Sequence, residues 1–174
     1  MKGAEIDKLL QKTALGDNEA FELLYARTKR GVFSFLHSYF HNYADTEDAM
    51  QTVYLKIKVG IDSYRLGTNG RAWILQIAKN HALNELKKRR QTVDLESLET
   101  PPFAEQPCLG ESGVEEVMQR VLSIEERRII ILHVLWGYKH REIAQMQNCA
   151  TGTITSKYKR AIEKLKRALK EGER

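Results

Sequence analysis

Cysteine is nearly absent. Cys108 and Cys149 are the only two in 174 residues. They stand far apart with no C-x-x-C around either, which excludes a disulfide framework and leaves no zinc-binding spacing. The three prolines, Pro101, Pro102 and Pro107, all fall in one short stretch. No apolar run approaches the roughly 18 residues that a membrane-spanning helix needs. The opening Met1-Lys2-Gly3-Ala4-Glu5 leads into polar residues instead of the apolar core of a signal peptide. A cytoplasmic protein is expected. The eleven glycines show neither G-x-G-x-x-G nor G-x-x-x-x-G-K-S/T, and neither G-x-S-x-G nor H-E-x-x-H occurs. The commonest nucleotide-binding and hydrolase signatures are therefore missing, and no enzyme activity, cofactor or small-molecule substrate is expected.

What is present is charge, unevenly spread. Residues 1 to 90 carry a net +5, residues 91 to 113 carry −5 with no basic side chain, and residues 114 to 174 carry +5. The middle stretch holds all three prolines and no regular apolar period, and reads as an acidic, semi-extended linker. Two basic pieces on an acidic tether suit two modules that grip one polyanion, the tether repelled by it. An ordinary interdomain loop would carry the same boundary.

Apolar spacing makes both pieces helical, so the expected fold is all-α, with two small helical domains joined by the linker. Phe21, Leu24, Tyr25 and Thr28, then Val32, Phe35, Leu36 and Tyr39, follow the spacing of a buried helical stripe. Asp45 reads as the N-cap of a further helix with Ala49, Val53 and Ile57 on its inner side and Glu47, Asp48 and Gln51 on its outer side, ending near Gly60. A longer helix is expected from near Arg71. Ile74, Ile77, Ala78, Ala82 and Leu86 face inward, Gln76, Lys79, Asn80, Asn84 and Lys87 outward, and Lys87-Lys88-Arg89-Arg90 close its negative end.

In the second piece Ser112 with Glu115, and Ser123 with Glu126, fit the S-x-x-E capping box. The first helix would bury Val114, Val117, Met118 and Val121, and the second Ile129, Ile130, Leu132 and Val134 before Gly137. A short helix from Arg141 to Gln147, a turn at Asn148-Cys149-Ala150 and a long helix from Thr151 then make a helix-turn-helix. Ile154, Tyr158, Ala161, Leu165 and Leu169 would lie inside. Thr153, Thr155, Ser156, Lys157, Lys159 and Arg160 would face out, offering hydroxyls for base edges and cations for phosphates. Thr151, as N-cap, would bring the positive helix end toward a phosphate. A solvated basic face on a helical domain is the alternative.

Read together, ADTEDAMQTVYLKI (44 to 57), GRAWILQIAKNHALNELKKRR (70 to 90) and LSIEERRIIILHVLWGYKHREIAQMQNCATGTITSKYKRAIEKLKRAL (122 to 169) resemble a bacterial RNA polymerase sigma factor of the sigma-70 family, extracytoplasmic-function group. The resemblance spans nearly the whole chain and implies a region-2-like domain at 1 to 90, a linker at 91 to 113, and a region-4-like helix-turn-helix domain at 114 to 174. It implies a promoter-specificity subunit. Asp45, Glu47, Asp48 and Gln51 would dock on the clamp helices of the largest subunit of core RNA polymerase. Arg71, Gln76, Lys79, Asn80, Asn84, Lys87 and Lys88, with the loop before them, would bind the minus-ten element of promoter DNA. Thr151, Thr153, Thr155, Ser156, Lys157, Lys159 and Arg160 would read the minus-thirty-five element. An anti-sigma factor is implied as a further partner.

The sequence also departs from the family pattern. Thr52 stands where an acidic residue is common, Lys58 where a tryptophan is common, Asn84 where an aspartate is common, and Lys139-His140 where a serine often caps the helix-turn-helix. Trp73 lies where primary sigma factors carry a duplex-wedging aromatic pair, but Ala72 is its neighbour and the expected role is core packing. His37 and His41 form the single histidine pair that could share a helix face, without a third ligand, so no metal is expected. A stand-alone helix-turn-helix regulator would leave the 45 to 90 features unexplained, and a helical adaptor whose basic faces bind acidic partners also fits the composition.

Overall fold

In a computed structural model of the chain, residues 3–65, 67–95 and 113–172 are described. They form eight α-helices with no strand among them. The chain divides into two compact units at Gln106/Pro107. The linker prolines, Cys108 and the Ser112 cap lie outside the described residues.

The first unit packs α1 (Gly3–Ala14), α2 (Asn18–Phe40), α3 (Tyr43–Val59) and α4 (Gly70–Leu95), with a short 3-10 turn at Ile61–Ser63. The stripes at 21–28 and 32–39 lie on the one long helix α2, which packs against the other three. Its N-cap is Asp17, whose carboxylate accepts from the Ala20 N–H at 3.0 Å. Ile6 and Leu10 from α1, Leu24, Val32 and Leu36 from α2, Val53 and Ile57 from α3, and Ile74, Ala78 and Ala82 from α4 are fully buried. Each large aliphatic side chain among them contributes about 1.5 to 3 kcal/mol by leaving water. One polar pair crosses this core. Thr28 donates its proton to the Leu24 carbonyl at 2.6 Å, so the buried Tyr54 hydroxyl must be the donor in its 2.7 Å contact with Thr28 Oγ1.

The structure adds one helix and corrects three expectations here. Helix α1 precedes the first stripe read from the sequence; its buried positions, Ile6, Leu10 and Thr13, are few and sit among charges. Asn42, not Asp45, caps α3, its side chain accepting from the Asp45 N–H at 3.2 Å. Asp45 falls in the first turn, where a carboxylate still suits the positive helix end. Helix α4 continues through Leu95 instead of stopping at Arg90, because nothing in residues 91–95 breaks a helix and the first proline is Pro101. Tyr25, expected on the buried stripe, is 38% exposed, its ring 4.7 Å from that of Tyr54 with Lys29 Nζ over it at 5.9 Å.

The second unit holds α5 (Gly113–Val121), α6 (Ile124–Ile130), α7 (His140–Met146) and α8 (Thr151–Gly172). Helix α6 begins at a complete capping box. The Ser123 hydroxyl accepts from the Glu126 N–H at 3.3 Å and the Glu126 carboxylate accepts from the Ser123 N–H at 2.9 Å. It then widens into a π turn at Ile131–Leu135, closed by Trp136 N–H to the Ile131 carbonyl at 3.2 Å. Gly137, with φ +70°, ends it. The extra residue per turn rotates Val134 off the inner stripe, so it is 56% exposed against expectation, while Trp136 is fully buried. Helix α8 packs on α5, α6 and α7 through Ile154, Ala161, Leu165 and Ala168. Leu169 is 42% exposed, with Ala168 taking the inward place near the end of the helix. Val114 likewise stays out, at the start of α5.

Candidate nucleic-acid and partner interfaces

Ile143 and Ala144 of α7 are buried, which seats that short helix beside α8. The turn between them closes through Cys149 N–H to the Ala144 carbonyl at 3.0 Å, with Asn148 in the left-handed region at φ +51°. At the start of α7 the Glu142 carboxylate reaches back to the Lys139 N–H at 2.7 Å, supplying a cap where no serine stands. The carbonyl of Ala150 accepts the first backbone donors of α8, from Thr153 at 3.0 Å and Ile154 at 3.4 Å. Thr151 is therefore the first residue inside α8 and not its N-cap.

Thr151, Thr153, Ser156, Lys159 and Arg160 are exposed on α8. Thr155 and Lys157 are half-buried and already engaged, unlike the outward positions expected for them. Thr155 donates to the Thr151 carbonyl at 3.0 Å, which leaves its oxygen to accept from His140 Nδ1–H at 3.2 Å. Lys157 is ion-paired with Glu125 of α6. Lys164 lies 2.9 Å from both oxygens of Glu126. Burial pushes the Glu126 carboxyl upward, but the hydrogen bonds from Lys164 and Ser123 outweigh it and hold the group below the ordinary glutamate range.

Behind this face, His133, His140 and Tyr158 form a three-ring cluster with centroids 4.7 to 4.9 Å apart. His133 Nδ1 donates to the Tyr138 carbonyl at 2.8 Å. His140 Nε2 is buried without a hydrogen-bond partner. Burial and the neighbouring His133 hold the His140 imidazole below the ordinary histidine pKa. The sequence carries no sign of this cluster, since the two histidines are seven positions apart and on different helices.

On α4, Gln76, Lys79, Asn80, Asn84, Lys87 and Lys88 are all exposed and Arg71 is half-buried. Gln76 donates to Asn80 Oδ1 at 2.7 Å, so the two amides form one exposed unit along the helix. Lys88 pairs with Glu85 at 2.9 Å. Trp73 is half-buried with its ring tilted on Tyr64, centroids 5.3 Å apart, which makes it part of the packing at the start of α4. Asn69 caps the helix, its side chain accepting from the Ala72 N–H at 3.2 Å.

On α3, Asp48 and Gln51 are exposed and Glu47 is half-buried. Leu55 and Val59, 63% and 75% exposed, continue the same outer side. Asp45 differs: Arg89 of α4 lies 2.6 Å from its Oδ2 and also over the Phe40 ring at 5.6 Å. That hydrogen bond holds the Asp45 carboxyl below the ordinary aspartate range, against a smaller opposing effect of burial. Among the described residues no group of three acidic, histidine or cysteine side chains could hold a metal ion. His37 is buried and shares a hydrogen bond with Thr46 at 3.0 Å. No described helix is long and apolar enough to cross a membrane.

Comparison with known proteins accounts for both units. The family model described as Sigma-70 region 2 matches residues 24–92, and that described as Sigma-70, region 4 matches residues 118–165. The ECF RNA polymerase sigma-E factor of Escherichia coli K12 is 29% identical over 171 residues, covering 89% of each chain. The ECF RNA polymerase sigma factor SigM of Mycobacterium tuberculosis is 28% identical over 166 residues, covering 93% of this chain and 83% of the relative. Among solved structures, the sigma factor RpoE of Bartonella quintana, in complex with the anti-sigma factor NepR, superposes with a TM-score of 0.62 at 26% identity, covering 86% of this chain and 96% of that one. CnrH, in complex with the cytosolic domain of CnrY, shares the fold with a TM-score of 0.56 at 19% identity, covering 96% and 98% of the two chains.

Proposed function

The chain belongs to the sigma-70 family, in its extracytoplasmic-function group, and we propose how its two units divide the work of a promoter-specificity subunit of RNA polymerase. The subunit binds core RNA polymerase and directs initiation by recognising promoter elements. Residues 1 to 90 carry polymerase binding and the minus-ten element, the stretch from 91 to 113, into which α4 runs as far as Leu95, links the two, and residues 114 to 174 carry the minus-thirty-five element.

The single observation that supports this assignment best is the exposed polar row on α4, an amide pair (Gln76, Asn80) flanked by Lys79, Asn84 and Lys87. Amides can hydrogen-bond the edges of unpaired bases while the lysines hold phosphates. Helix α8 offers a different chemistry for duplex DNA, exposed hydroxyls from Thr151, Thr153 and Ser156 beside Lys159 and Arg160, with Lys157 added once it leaves Glu125 and Thr155 held back by its bonds to Thr151 and His140. Asp48 and Gln51, with Glu47 and Asp45 beside them, suit a basic helical partner, the clamp helices of the largest polymerase subunit.

The protein acts in the cytoplasm as a non-catalytic subunit without a cofactor. Its similarity to a sigma factor bound by an anti-sigma factor supports a partner of that kind here. Strand separation at the minus-ten element is the test: permanganate should modify thymines there only when this protein and core polymerase are both present. Thymines that stay unreactive in a complex bound at its promoter would contradict the α4 assignment.

A further inference from the structure

Helix α1 lies outside the region-2 match, which begins at residue 24. Ile6 and Leu10 seat it in the core, but one of its polar residues points to a different place. Asp7 Oδ1 accepts from the backbone N–H of Gly70, the first residue of α4, at 2.7 Å. The same oxygen accepts from the Tyr64 hydroxyl at 3.1 Å, and the Tyr64 proton is shared with the Thr68 carbonyl at 3.0 Å.

These contacts close both ends of the loop at 64–69. Its start is held by Tyr64, whose ring also packs on Trp73; its end is held at Gly70 and by the Asn69 cap. Between them Gly67 takes φ +84°, and among the described residues the Arg65 carbonyl accepts from the Thr68 N–H at 3.2 Å and from the Thr68 hydroxyl at 2.6 Å. Arg65, Gly67, Thr68 and Asn69 are exposed. These internal bonds are on an exposed turn, and what ties its two ends to the body of the unit is the Asp7 carboxylate of α1. Position 70 is closed to any side chain: a Cβ there would stand 2.6 Å from Asp7 Oδ1 and 2.6 Å from Leu10 Cδ1. Two first-turn donors of α4 are also taken, the Gly70 N–H by the Asp7 carboxylate and the Ala72 N–H by the Asn69 side chain, and the negative charge of Asp7 makes this helix end less attractive to a phosphate.

We infer that Asp7 is a positioning residue for minus-ten recognition: by accepting from Gly70 and Tyr64 it fixes Tyr64, where the loop begins, and the first turn of α4, where it ends, in the geometry that meets the bases. The inference rests on the α4 assignment above. Charge is secondary to the acceptor oxygen, so Asp7→Asn keeps the function and Asp7→Ala loses it. The hydrophobic seat of α1 survives either change.

The experiment is transcription by the holoenzyme, full chain with core polymerase, from a pool of promoters randomised in both elements, with the starts sequenced. Asp7→Ala should weaken the preference for the favoured minus-ten bases by about fivefold, the scale of one unmet buried donor. Its minus-thirty-five preference should match the wild type, and Asp7→Asn should restore the minus-ten preference. Tyr64→Phe, which keeps the ring on Trp73 and removes one donor, should shift the preference the same way by less. It decides the matter if Asp7→Ala proves inactive. An unaltered minus-ten preference in Asp7→Ala, an equal loss of both preferences, an unaltered preference in Tyr64→Phe or a failure of Asp7→Asn to restore would overturn the proposal. A wild-type protein that directs no starts would overturn the α4 assignment itself, and the proposal with it.

Discussion

Arg89, near the end of α4, places its guanidinium 2.6 Å from the carboxylate of Asp45 in the first turn of α3. The side chains retain 39% and 28% of their exposure, so solvent screens the pair and its contribution is under about 1 kcal/mol. Because the folded state holds the Asp45 pKa below the unfolded value, the contribution is present above pH 3.8 and is lost as pH falls through the lowered folded pKa. Asp45→Asn should therefore lower the unfolding free energy by at most about 1 kcal/mol near neutrality. The difference from wild type should shrink toward zero below pH 3.8, as read by urea unfolding across that range.

Among the described residues Asp48 has no such ion-pair partner, and with Gln51 it faces solvent. The double change Asp48→Ala and Gln51→Ala should reduce co-purification with core polymerase severalfold while leaving helicity unchanged. Removing interfacial charges that meet a complementary partner typically costs 2 kcal/mol or more when they are buried in the complex, roughly thirtyfold in affinity. An undiminished complex would move the docking face away from α3.

Lys157 is paired with Glu125 in the free protein, so the proposed reading of DNA by α8 requires it to exchange that partner for a phosphate or base edge. Glu125 is largely exposed, so the pair opens easily and Glu125→Gln should strengthen duplex binding a few-fold at low salt. Lys157→Ala and Arg160→Ala should each weaken minus-thirty-five binding by about 1 to 3 kcal/mol with the unit still folded. Fluorescence anisotropy of a labelled duplex, repeated across salt concentrations, measures both effects. If both substitutions leave affinity intact, α8 does not read DNA through this face.

His140 supplies a pH dependence in the other unit. Its pKa is held below 6.5 by burial first and by His133 second. The unfolded chain thus takes up a proton that the folded chain resists, and stability falls as pH drops from 6.5 through the folded pKa. The groups facing its ring are His133 from the π turn and Tyr158 and Thr155 from α8, and none of them carries a negative charge at these pH values. His140→Gln should flatten this acid limb, seen as a smaller drop in thermal midpoint between pH 6.5 and pH 5.

Much of this architecture is legible in the residues because helical periodicity and caps are local. Leu24 through Leu36, the Ser123 and Glu126 box, the Gly60 and Gly137 stops and the helix-turn-helix each depend on neighbours a few positions away. Departures arise where distant packing decides. The π turn shifts the register at Val134, and Leu169 projects from α8 where Ala168 turns inward. Asp45 with Arg89, Lys157 with Glu125, and the Asp7 carboxylate with the Gly70 N–H join positions tens of residues apart, and no spacing rule pairs such groups over those separations. The candidate contact residues were readable as types on an exposed face. Which of them are already engaged in the free protein was not.

Promoter selection is the central claim, and start-site sequencing measures it most directly. Core RNA polymerase is supplied with a random promoter pool, with and without this protein, and the transcripts are sequenced at their 5′ ends. The account predicts new, protein-dependent starts that share two spaced motifs upstream. An identical set of starts with and without the protein, under conditions where it binds core polymerase, would contradict it.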